Sequence, residues 1–307
     1  MVPLVPMRVH ELLPPAEGHD IDPRRFLADA AWRVVRANVL DFLPRIADKS
    51  VDLIFADPPY FLSNNGTTCR SGRRVSVNKG QWDVSQGLKA DHEFNLKWLR
   101  ECQRILKPSG TLWVSGTQHV IFSLGFAMQE LGFHFLNTIT WYKPNASPNL
   151  ACRTFTHSTE LLIWAAPERG PRLLHTFHYH EMRAQAGGKQ MRDLWPIPDG
   201  EGCHLVWNIP TPGRREKASG YHPTQKPLEL LDRVIISSSS PGDIVMDPFA
   251  GSSTTGVAAI LRGRKFLGVE VNEEYVELSE RRLRSAEEAM VTPLERSASQ
   301  RGGARPG

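Results

Sequence analysis

Short apolar runs alternate along most of the chain with stretches whose apolar residues recur at helical spacing. Buried strands are predicted at Trp32–Ala37, Val51–Ala56, Thr111–Ser115, Phe133–Tyr142, Glu160–Ala166, Asp243–Met246 and Phe266–Val271. Helices are predicted at Val39–Ile46, Glu93–Leu106, His119–Leu131, Pro227–Ser237, Ser252–Leu261 and Glu273–Ser285. This alternation predicts an α/β fold around a mostly parallel, doubly wound sheet, with ligands beyond the carboxyl ends of the strands.

Three regions depart from the alternation. Residues 1–31 are rich in proline and are predicted to be irregular. Residues 168–217 contain prolines, glycines and histidines with little periodicity, and the polar residues 286–307 are predicted to be disordered. The alternating part is thereby divided into residues 32–167 and 218–285. The chain has neither an apolar run of the roughly 18 residues that a membrane span needs nor a signal-peptide core, so a cytoplasmic protein is predicted.

Composition adds few constraints. The net charge of +4 permits a nucleic-acid partner without requiring one. The four cysteines form no CxxC pair and are predicted to be reduced. His178 and His180 would share one face of an extended segment, but they lack a clear set of further ligands, so no metal is predicted.

The first candidate site directly follows the strand Val51–Ala56 and reads Asp57-Pro58-Pro59-Tyr60. Proline lacks an N–H and an ionised aspartate only accepts hydrogen bonds, so the segment is rich in acceptors. The Asp57 carboxylate and the Pro58 carbonyl suit the two hydrogens of an exocyclic amine, and Tyr60 offers a face for an extruded base. The alternative is a rigid Asp-Pro turn with a surface tyrosine.

The second candidate site, Asp247–Gly256, joins a predicted strand to a predicted helix. Gly251 lets a ligand approach the backbone, and Phe249 can pack against it. No lysine is placed for a triphosphate, while Glu270 near the end of the next strand suits ribose hydroxyls. An adenosine-containing cofactor without a recognised phosphate chain is favoured; the alternative is a generic corner for another nucleotide.

These motifs resemble those of a known enzyme family. Asp57–Tyr60 resembles the catalytic motif of DNA amino-methyltransferases, and Asp247–Ser252 resembles their FxGxG cofactor motif, with Ser253 in place of the second glycine. His222–Pro227 resembles the segment that precedes the cofactor motif. The catalytic motif comes first, which is the order of the circularly permuted beta class. The resemblance spans Val34–Leu283 and implies a Rossmann-like methyltransferase fold that uses S-adenosylmethionine.

The resemblance also implies roles for individual residues. The catalytic residues it implies are Asp57, Pro58, Pro59 and Tyr60. The residues it implies for the cofactor are Asn38, Asp57, Thr224, Lys226, Asp247, Phe249, Gly251, Ser252, Ser253, Thr254 and Glu270. Among these, Glu270 is expected at the ribose, Asn38 at the adenine, and Thr224 and Lys226 at the methionine end.

A narrower resemblance is to the Dpn-type adenine methyltransferases. It is carried by Phe61–Trp82, Pro148–Leu150, Phe155–Glu160 and Gly188–Met191. It implies methylation of adenine N6 in GATC within a restriction–modification system. DNA is the implied partner in double-stranded form, and single-stranded DNA, a homodimer and a cognate restriction endonuclease are left open.

Two regions are predicted to contact DNA. The loop 61–82 contains no acidic residue and is predicted to be a lid over the DNA; the alternative is a solvated mobile loop. The cations predicted to contact phosphates are Arg70, Arg73, Arg74 and Lys79. Residues 168–217 are the predicted target-recognition insert, with candidate contacts at Arg183, Lys189, Arg192, Arg214, Arg215 and Lys217.

Alternative activities stay open at this point. Asp at the first motif position favours adenine, whereas Ser favours N4 of cytosine and Asn is usual for protein glutamine methylation. A Pro-Cys nucleophile is absent, so direct transfer to nitrogen is expected. A DNA-binding module that kept the fold without the activity is a rival from another class.

Overall fold

A computed structural model describes residues 18–63, 67–70, 73–76, 83–149, 152–170, 172, 174–193, 209–213 and 215–301, with backbone alone for 67–70, 73–76 and 291–301. The strands are β1 Trp32–Arg36, β2 Val51–Ala56, β3 Thr67–Arg70, β4 Arg73–Ser76, β5 Leu106–Gly116, β6 His134–Tyr142, β7 Thr159–Ala166, β8 Ile244–Asp247 and β9 Lys265–Glu270. The helices are α1 Pro23–Phe26, α2 Val39–Phe42, α3 Leu88–Ile105, α4 Ile121–Glu130, α5 Tyr179–Gln185, α6 Leu228–Ser238, α7 Thr254–Leu261 and α8 Glu273–Arg301, with a 3-10 helix at Leu43–Arg45.

Seven strands form one sheet in the order β1-β9-β8-β2-β5-β7-β6. All neighbours pair in parallel except β7, which is antiparallel to both β5 and β6. One apolar core packs α2, α3 and α4 against one face, and a second packs α6, α7 and α8 against the other. The predicted α/β class with a mostly parallel, doubly wound sheet is confirmed, as are all seven predicted strands.

Two adjacent strands determine where the candidate motifs lie. Ile54 of β2 pairs with Met246 of β8, so the residues that follow these strands emerge side by side. Beyond them β8 pairs with β9, with Asp247 opposite Gly268. The chain leaves β2 toward β5 on one side and leaves β8 toward β9 on the other. This divergence is the switch point at which doubly wound sheets bind ligands.

The segment between α3 and the next strand differs from the prediction. Lys107–Gly110 was expected to separate helix from strand, but β5 begins at Leu106, directly after α3. The register between β2 and β5 shifts in this stretch, with Val51 opposite Leu106 and Leu53 opposite Thr111, so these residues form an irregular start of the strand. An ion pair of 2.5 Å between Lys107 and Asp52 fastens the irregularity to β2.

Both ends of the chain are more ordered than predicted where the structure describes them. In the expected irregular segment 1–31, α1 forms and Leu27 is fully buried, while residues 1–17 lie outside the described residues. In the expected disordered tail 286–307, α8 continues to Arg301, and residues 302–307 lie outside the described residues. Just beyond Ser285 the helix still packs on the core: Ala286 is buried, and Trp32 Nε1 donates to Glu287 Oε2 over 3.0 Å.

The predicted insert also contains regular structure. Its helix α5 was missed because seven residues are too short for a clear helical period, and its buried residue is Met182. His178 precedes this helix and His180 lies within it, so the prediction that they share one face of an extended segment is wrong. In the described residues no three His, Cys, Asp or Glu side chains are grouped to hold a metal ion.

The loop after the catalytic motif contains a hairpin. β3 and β4 pair in antiparallel fashion within the predicted lid.

Across the part of the chain that the structure covers, no helix is long and apolar enough to cross a membrane. Cys102 is buried and Cys152 is exposed, and neither forms a disulfide bond within the described residues.

Candidate active site

A cavity of about 600 Å³ opens at the carboxyl ends of β2, β8 and β9. Its lining includes Asp57–Tyr60, His222, Thr224–Lys226, Asp247–Ser252 and Glu270. The catalytic and cofactor motifs therefore share one cleft, as expected for strands that pair side by side. Tyr60 and Gly251, which come from distant parts of the sequence, line the same space.

Asp83 holds the catalytic segment in place. This carboxylate is fully buried and accepts from the backbone N–H groups of Tyr60, over 3.0 Å, and Leu62, over 3.2 Å. Its second oxygen also accepts from the Ser63 hydroxyl over 2.8 Å. A buried carboxylate with several donors fixes the path of the chain through the turn. This role of Asp83 was not predicted from the sequence.

The Asp57 carboxylate has three side-chain donors. Its Oδ1 accepts from Ser115 Oγ over 2.5 Å and from Tyr60 Oη over 2.7 Å. Its Oδ2 accepts from Lys226 Nζ over 2.5 Å. Lys226 was predicted at the methionine end of the cofactor, whereas its ammonium contacts the Asp57 carboxylate in this structure. Ser115 was not predicted to belong to the site.

Glu160 is a second carboxylate beside the first. Its Oε2 lies 3.7 Å from Lys226 Nζ and 3.3 Å from Tyr60 Oη, and its Oε1 accepts from Lys143 Nζ over 3.0 Å. Two carboxylates and two ammonium groups thus form a compensated cluster. Burial lowers the pKa of Lys226, but the charges of Asp57 and Glu160 outweigh it, so the net shift is upward. Lys226 is therefore charged.

The buried tyrosine adds a neutral donor to this cluster. Burial, followed by the charges of Asp57 and Glu160, holds the pKa of Tyr60 well above its usual value of 10.0. Its hydroxyl stays protonated and bridges both carboxylates. Lys226 Nζ lies 5.3 Å from the Tyr60 ring centroid, a cation–π contact.

On the other side of the cavity, Asp247 closes the turn after β8. Its Oδ1 accepts from Phe249 N over 3.0 Å, and its Oδ2 accepts from Thr255 Oγ1 over 2.6 Å. Burial raises the pKa of Asp247 to about 7, against the pull of these two hydrogen bonds. The carboxylate ties the strand end to the first turn of α7.

Gly251 lines the cavity in the turn between β8 and α7. Its φ of 51° lies in the left-handed region, and a Cβ there would stand 3.0 Å from His222 Cε1. Its N–H donates to Glu270 Oε2 over 2.9 Å, while Glu270 Oε1 accepts from Asn272 N over 2.8 Å. Burial raises the pKa of Glu270. A glycine is required here by both conformation and space.

Ser253 differs from its predicted role. It was expected to bind the cofactor, but it does not line the cavity and is fully buried. It is the N-cap of α7 with a φ of 52°, which directs its side chain into the interior. The left-handed conformation accounts for the glycine at this place in the FxGxG motif. Ser252 and Thr254, the neighbouring predictions, do line the cavity.

Helix α8 supports the glycine loop with two side chains that sequence analysis missed. Ser279 Oγ donates to the Gly251 carbonyl over 2.8 Å. Arg282, which is buried, donates to the Ser252 carbonyl, to Ser252 Oγ over 2.9 Å and to Thr254 Oγ1 over 3.0 Å. Burial lowers the pKa of Arg282 to about 10. Their spacing of three residues on a helix was the available signal, but it also fits ordinary packing.

The remaining predicted cofactor residues lie at the cavity. Asn38 lines it while its side chain accepts from Leu40 N over 2.9 Å as the cap of α2. Thr224 lines it beside His222 Nδ1, at 3.4 Å. Phe249 lines it too, and its ring meets Trp98 edge to face with centroids 5.2 Å apart.

The lining fits S-adenosylmethionine. Gly251 lines the cavity with backbone atoms alone, and Phe249 offers an apolar face beside it. Glu270 would take the ribose hydroxyls, and acidic side chains around the cavity suit a cationic ligand. Asp57 lies across the same space, where a methyl group would be delivered.

The residues predicted to contact DNA fall into three groups. Arg70, Arg73 and Arg74 lie on the β3–β4 hairpin, described by backbone alone. Lys189, Arg192 and Arg215 are exposed, and Arg183 Nε donates to the Gly188 carbonyl over 2.7 Å. Lys79 and Arg214 lie outside the described residues.

Fold and site together define a methyltransferase that uses S-adenosylmethionine. The sequence model of the N6/N4 DNA methylase family matches residues 51–281. The chain belongs to this family, and it is a DNA methyltransferase.

Two curated relatives are similar over most of their length. Type II methyltransferase M2.MboI of Moraxella bovis is 43% identical over 254 residues, covering 83% of this chain and 88% of that protein. Type II methyltransferase M2.DpnII of Streptococcus pneumoniae is 44% identical over 255 residues, covering 83% and 90%.

A solved structure shows the same fold. The crystal structure of the M1.HpyAVI–SAM complex matches with a TM-score of 0.56 and 24% identity, covering 82% of this chain and 98% of that one. The Rossmann-like methyltransferase fold that the resemblance implied is thus confirmed.

Proposed function

We propose that this enzyme methylates N6 of adenine in DNA at GATC, as part of a restriction–modification system. The observation that carries the proposal is the pair of acceptors at Asp57 and Pro58, across one cavity from the Gly251 loop. Asp at the first motif position favours adenine within the N6/N4 family. Support for GATC comes from the similarity to type II methyltransferases M2.MboI and M2.DpnII.

The chain's residues act on the target amine by hydrogen bonding. Asp57 and the Pro58 carbonyl accept the two amine hydrogens, which favours a pyramidal nitrogen and frees its lone pair. Tyr60 presents its ring to the base that has left the stack. S-adenosylmethionine, when bound, supplies a methyl group activated by the sulfonium. When the new N–C bond has formed, the nitrogen must lose a proton, and the Asp57 carboxylate is placed to accept it.

Several lining residues would hold S-adenosylmethionine opposite Asp57. Glu270 would bind the ribose, the Gly251–Ser252 backbone would border the methionine moiety, and Phe249 would pack against the adenosine. Asn38 would hydrogen-bond the adenine, and Thr224 would complete the wall. These assignments are favoured because all of these residues line the same cavity as Asp57.

DNA is held by two regions. Arg70, Arg73, Arg74 and Lys79 neutralise phosphates near the cleft, and the insert 168–217 reads the target sequence with its exposed cations. A DNA substrate is consistent with a cytoplasmic enzyme. The further partners in this proposal are single-stranded DNA, a second copy of the chain and a cognate endonuclease.

Labelled methyl transfer to GATC duplexes tests the proposal. Asp57→Ala should abolish transfer while cofactor binding, measured by calorimetry, is retained in part. Asp52→Asn, which removes a carboxylate at the opposite end of β2, is the matched control and should keep most of the activity. Equal turnover in Asp57→Ala would refute the mechanism. Product analysis that found N4-methylcytosine would replace adenine by the rival base.

A further inference from the structure

The catalytic carboxylate is already occupied in this structure. Ser115 and Tyr60 donate to Asp57 Oδ1, and Lys226 donates to Oδ2 over 2.5 Å. The side chain of Lys226 is only 8% exposed, so water has little access to this pair. Among the described residues Oδ2 accepts from Lys226 alone, so an amine that takes this oxygen competes with the ammonium for it. Lys226 Nζ is the donor whose removal frees a whole oxygen.

Glu160 offers the Lys226 ammonium a second carboxylate partner close to Asp57. Glu160 Oε2 is 3.7 Å from Lys226 Nζ, nearly within hydrogen-bond distance already. The other oxygen of Glu160 is held by Lys143 at 3.0 Å, which fixes the carboxylate's position. Tyr60 Oη lies 2.7 Å from Asp57 Oδ1 and 3.3 Å from Glu160 Oε2, so it lies between the two carboxylates.

We propose that Lys226 moves from Asp57 to Glu160 when the target amine enters, so that Glu160 and Lys226 are positioning residues for methyl transfer. This exchange rests on the proposed function, because it assumes an amine that donates to Asp57. It assigns to Glu160 a role that the catalytic and cofactor motifs do not include.

Charge balance favours this route. A buried ammonium that left Asp57 without a new partner would be desolvated and uncompensated, which is strongly unfavourable. Movement to Glu160 keeps it paired throughout. The Tyr60 ring, 5.3 Å from Nζ, borders the ammonium on this path.

The exchange also discriminates among bases. An exocyclic amine replaces the ammonium as a donor to Asp57, so the carboxylate stays satisfied. A carbonyl oxygen at the same place would offer an acceptor to an acceptor and would not displace Lys226. The exchange therefore lets Asp57 bind a base with an exocyclic amine, whereas with a keto base Asp57 stays paired with Lys226.

A double-mutant cycle tests the exchange. Single-turnover methyl transfer is measured with saturating GATC duplex and cofactor for wild type, Glu160→Gln, Lys226→Met and the double variant, each at its pH plateau. Glu160→Gln should slow transfer by about tenfold or more, because the neutral amide no longer attracts the ammonium away from Asp57. The double variant should be no slower than Lys226→Met, since Glu160 then has no ammonium to receive.

Additive losses, or a wild-type rate in Glu160→Gln, would overturn the exchange. Glu160→Asp should recover part of the rate that Glu160→Gln loses, and cofactor affinity should be unchanged in both.

The control and the wild type separate the possible failures. Asp52→Asn breaks a comparable ion pair with Lys107, remote from the cavity, and reports the general cost of losing such a pair. If wild-type enzyme transfers no methyl group to adenine, the proposed function fails. If wild type is active and the cycle is additive, the exchange alone fails.

Discussion

The N–H of Gly251 donates to the carboxylate of Glu270 over 2.9 Å, so the loop after β8 is fastened to the end of β9. The second oxygen of Glu270 holds the N–H of Asn272, which begins the turn into α8. One carboxylate therefore orders two turns of the cavity wall. Changes in this loop should act first on cofactor affinity and only then on DNA.

Gly251→Ala should weaken both the fold and cofactor binding. The left-handed φ of 51° is unfavourable for alanine, and its Cβ would press on the His222 ring at 3.0 Å. The conformational cost alone is about 1–2 kcal/mol. Urea denaturation should show a lower free energy of unfolding, and calorimetry a weaker affinity for S-adenosylmethionine. An affinity equal to wild type would contradict the placement of the cofactor against this backbone.

Ser253→Gly is the matched change in the opposite direction. Ser253 is left-handed too, with a φ of 52°, and its hydroxyl has no hydrogen-bond partner among the described residues. Glycine removes both penalties, so the free energy of unfolding should rise by about 1 kcal/mol. Cofactor affinity should stay unchanged because Ser253 lies off the cavity. A loss of stability would show that the serine is favoured by its surroundings.

Arg282→Met should loosen the glycine loop from α8. The substitution leaves the Ser252 carbonyl and the Thr254 hydroxyl without their buried donor, at a cost of about 1–3 kcal/mol. The expected result is a weaker cofactor affinity together with a lower unfolding midpoint in urea. Arg281→Met, the neighbouring residue whose pair with Glu277 is exposed, should change neither by a comparable amount. Equal effects in the two variants would disprove the anchoring role.

Asp247 should make stability pH-dependent below neutrality. Burial raises its pKa from 3.8 to about 7, so the folded enzyme keeps a proton that the unfolded chain has released within this window. The free energy of unfolding therefore falls as pH rises through the window, by at most about 1.4 kcal/mol per pH unit for one group. Asp247→Asn should flatten this slope in urea titrations from about pH 4 to 7. Glu277→Gln on the exposed side of α8 should leave the slope as it is.

The hairpin arginines should control the salt dependence of DNA binding. For every phosphate that a variant no longer neutralises, the slope of log K against log salt should become shallower by about one. Arg73→Ala and Arg74→Ala are expected to show this reduction on GATC and non-GATC duplexes alike, measured by fluorescence anisotropy. Arg262→Ala, which lies shortly before β9 at the amino ends of the strands and pairs with Asp232, is the control. An unchanged slope in the hairpin variants would place the DNA elsewhere.

Three of the site residues that were predicted from the sequence lie at or just after the end of a predicted strand. Asp57 and Gly251 each follow a buried strand closely, and Glu270 ends one, so strand prediction alone brings them to one edge of the sheet. Local pattern was sufficient because parallel strands put their carboxyl ends together. The class of fold was predictable for the same reason.

The parts that it missed depend on pairing across long distances. Ser115 lies near the end of β5 and reaches Asp57 because β5 pairs with β2. Glu160 lies near the start of β7 and reaches Lys226 because β7 lies antiparallel beside β5. Apolar periodicity does not specify which strands are neighbours or in which direction they run. Arg282 was missed for a related reason, since its partner Ser252 lies 30 residues earlier in the chain.

Because β2 pairs with β8, the geometry of the reacting groups is independent of the segment proposed to recognise the target sequence. Backbone hydrogen bonds between β2 and β8 set the distance between the Asp57 carboxylate and the Gly251 loop. This distance does not depend on the length of the chain that connects the two strands. Under the proposed role of residues 168–217 in target recognition, insertions or exchanges there alter the target without disturbing the reacting geometry. New specificities can arise by grafting, while the chemistry is inherited intact.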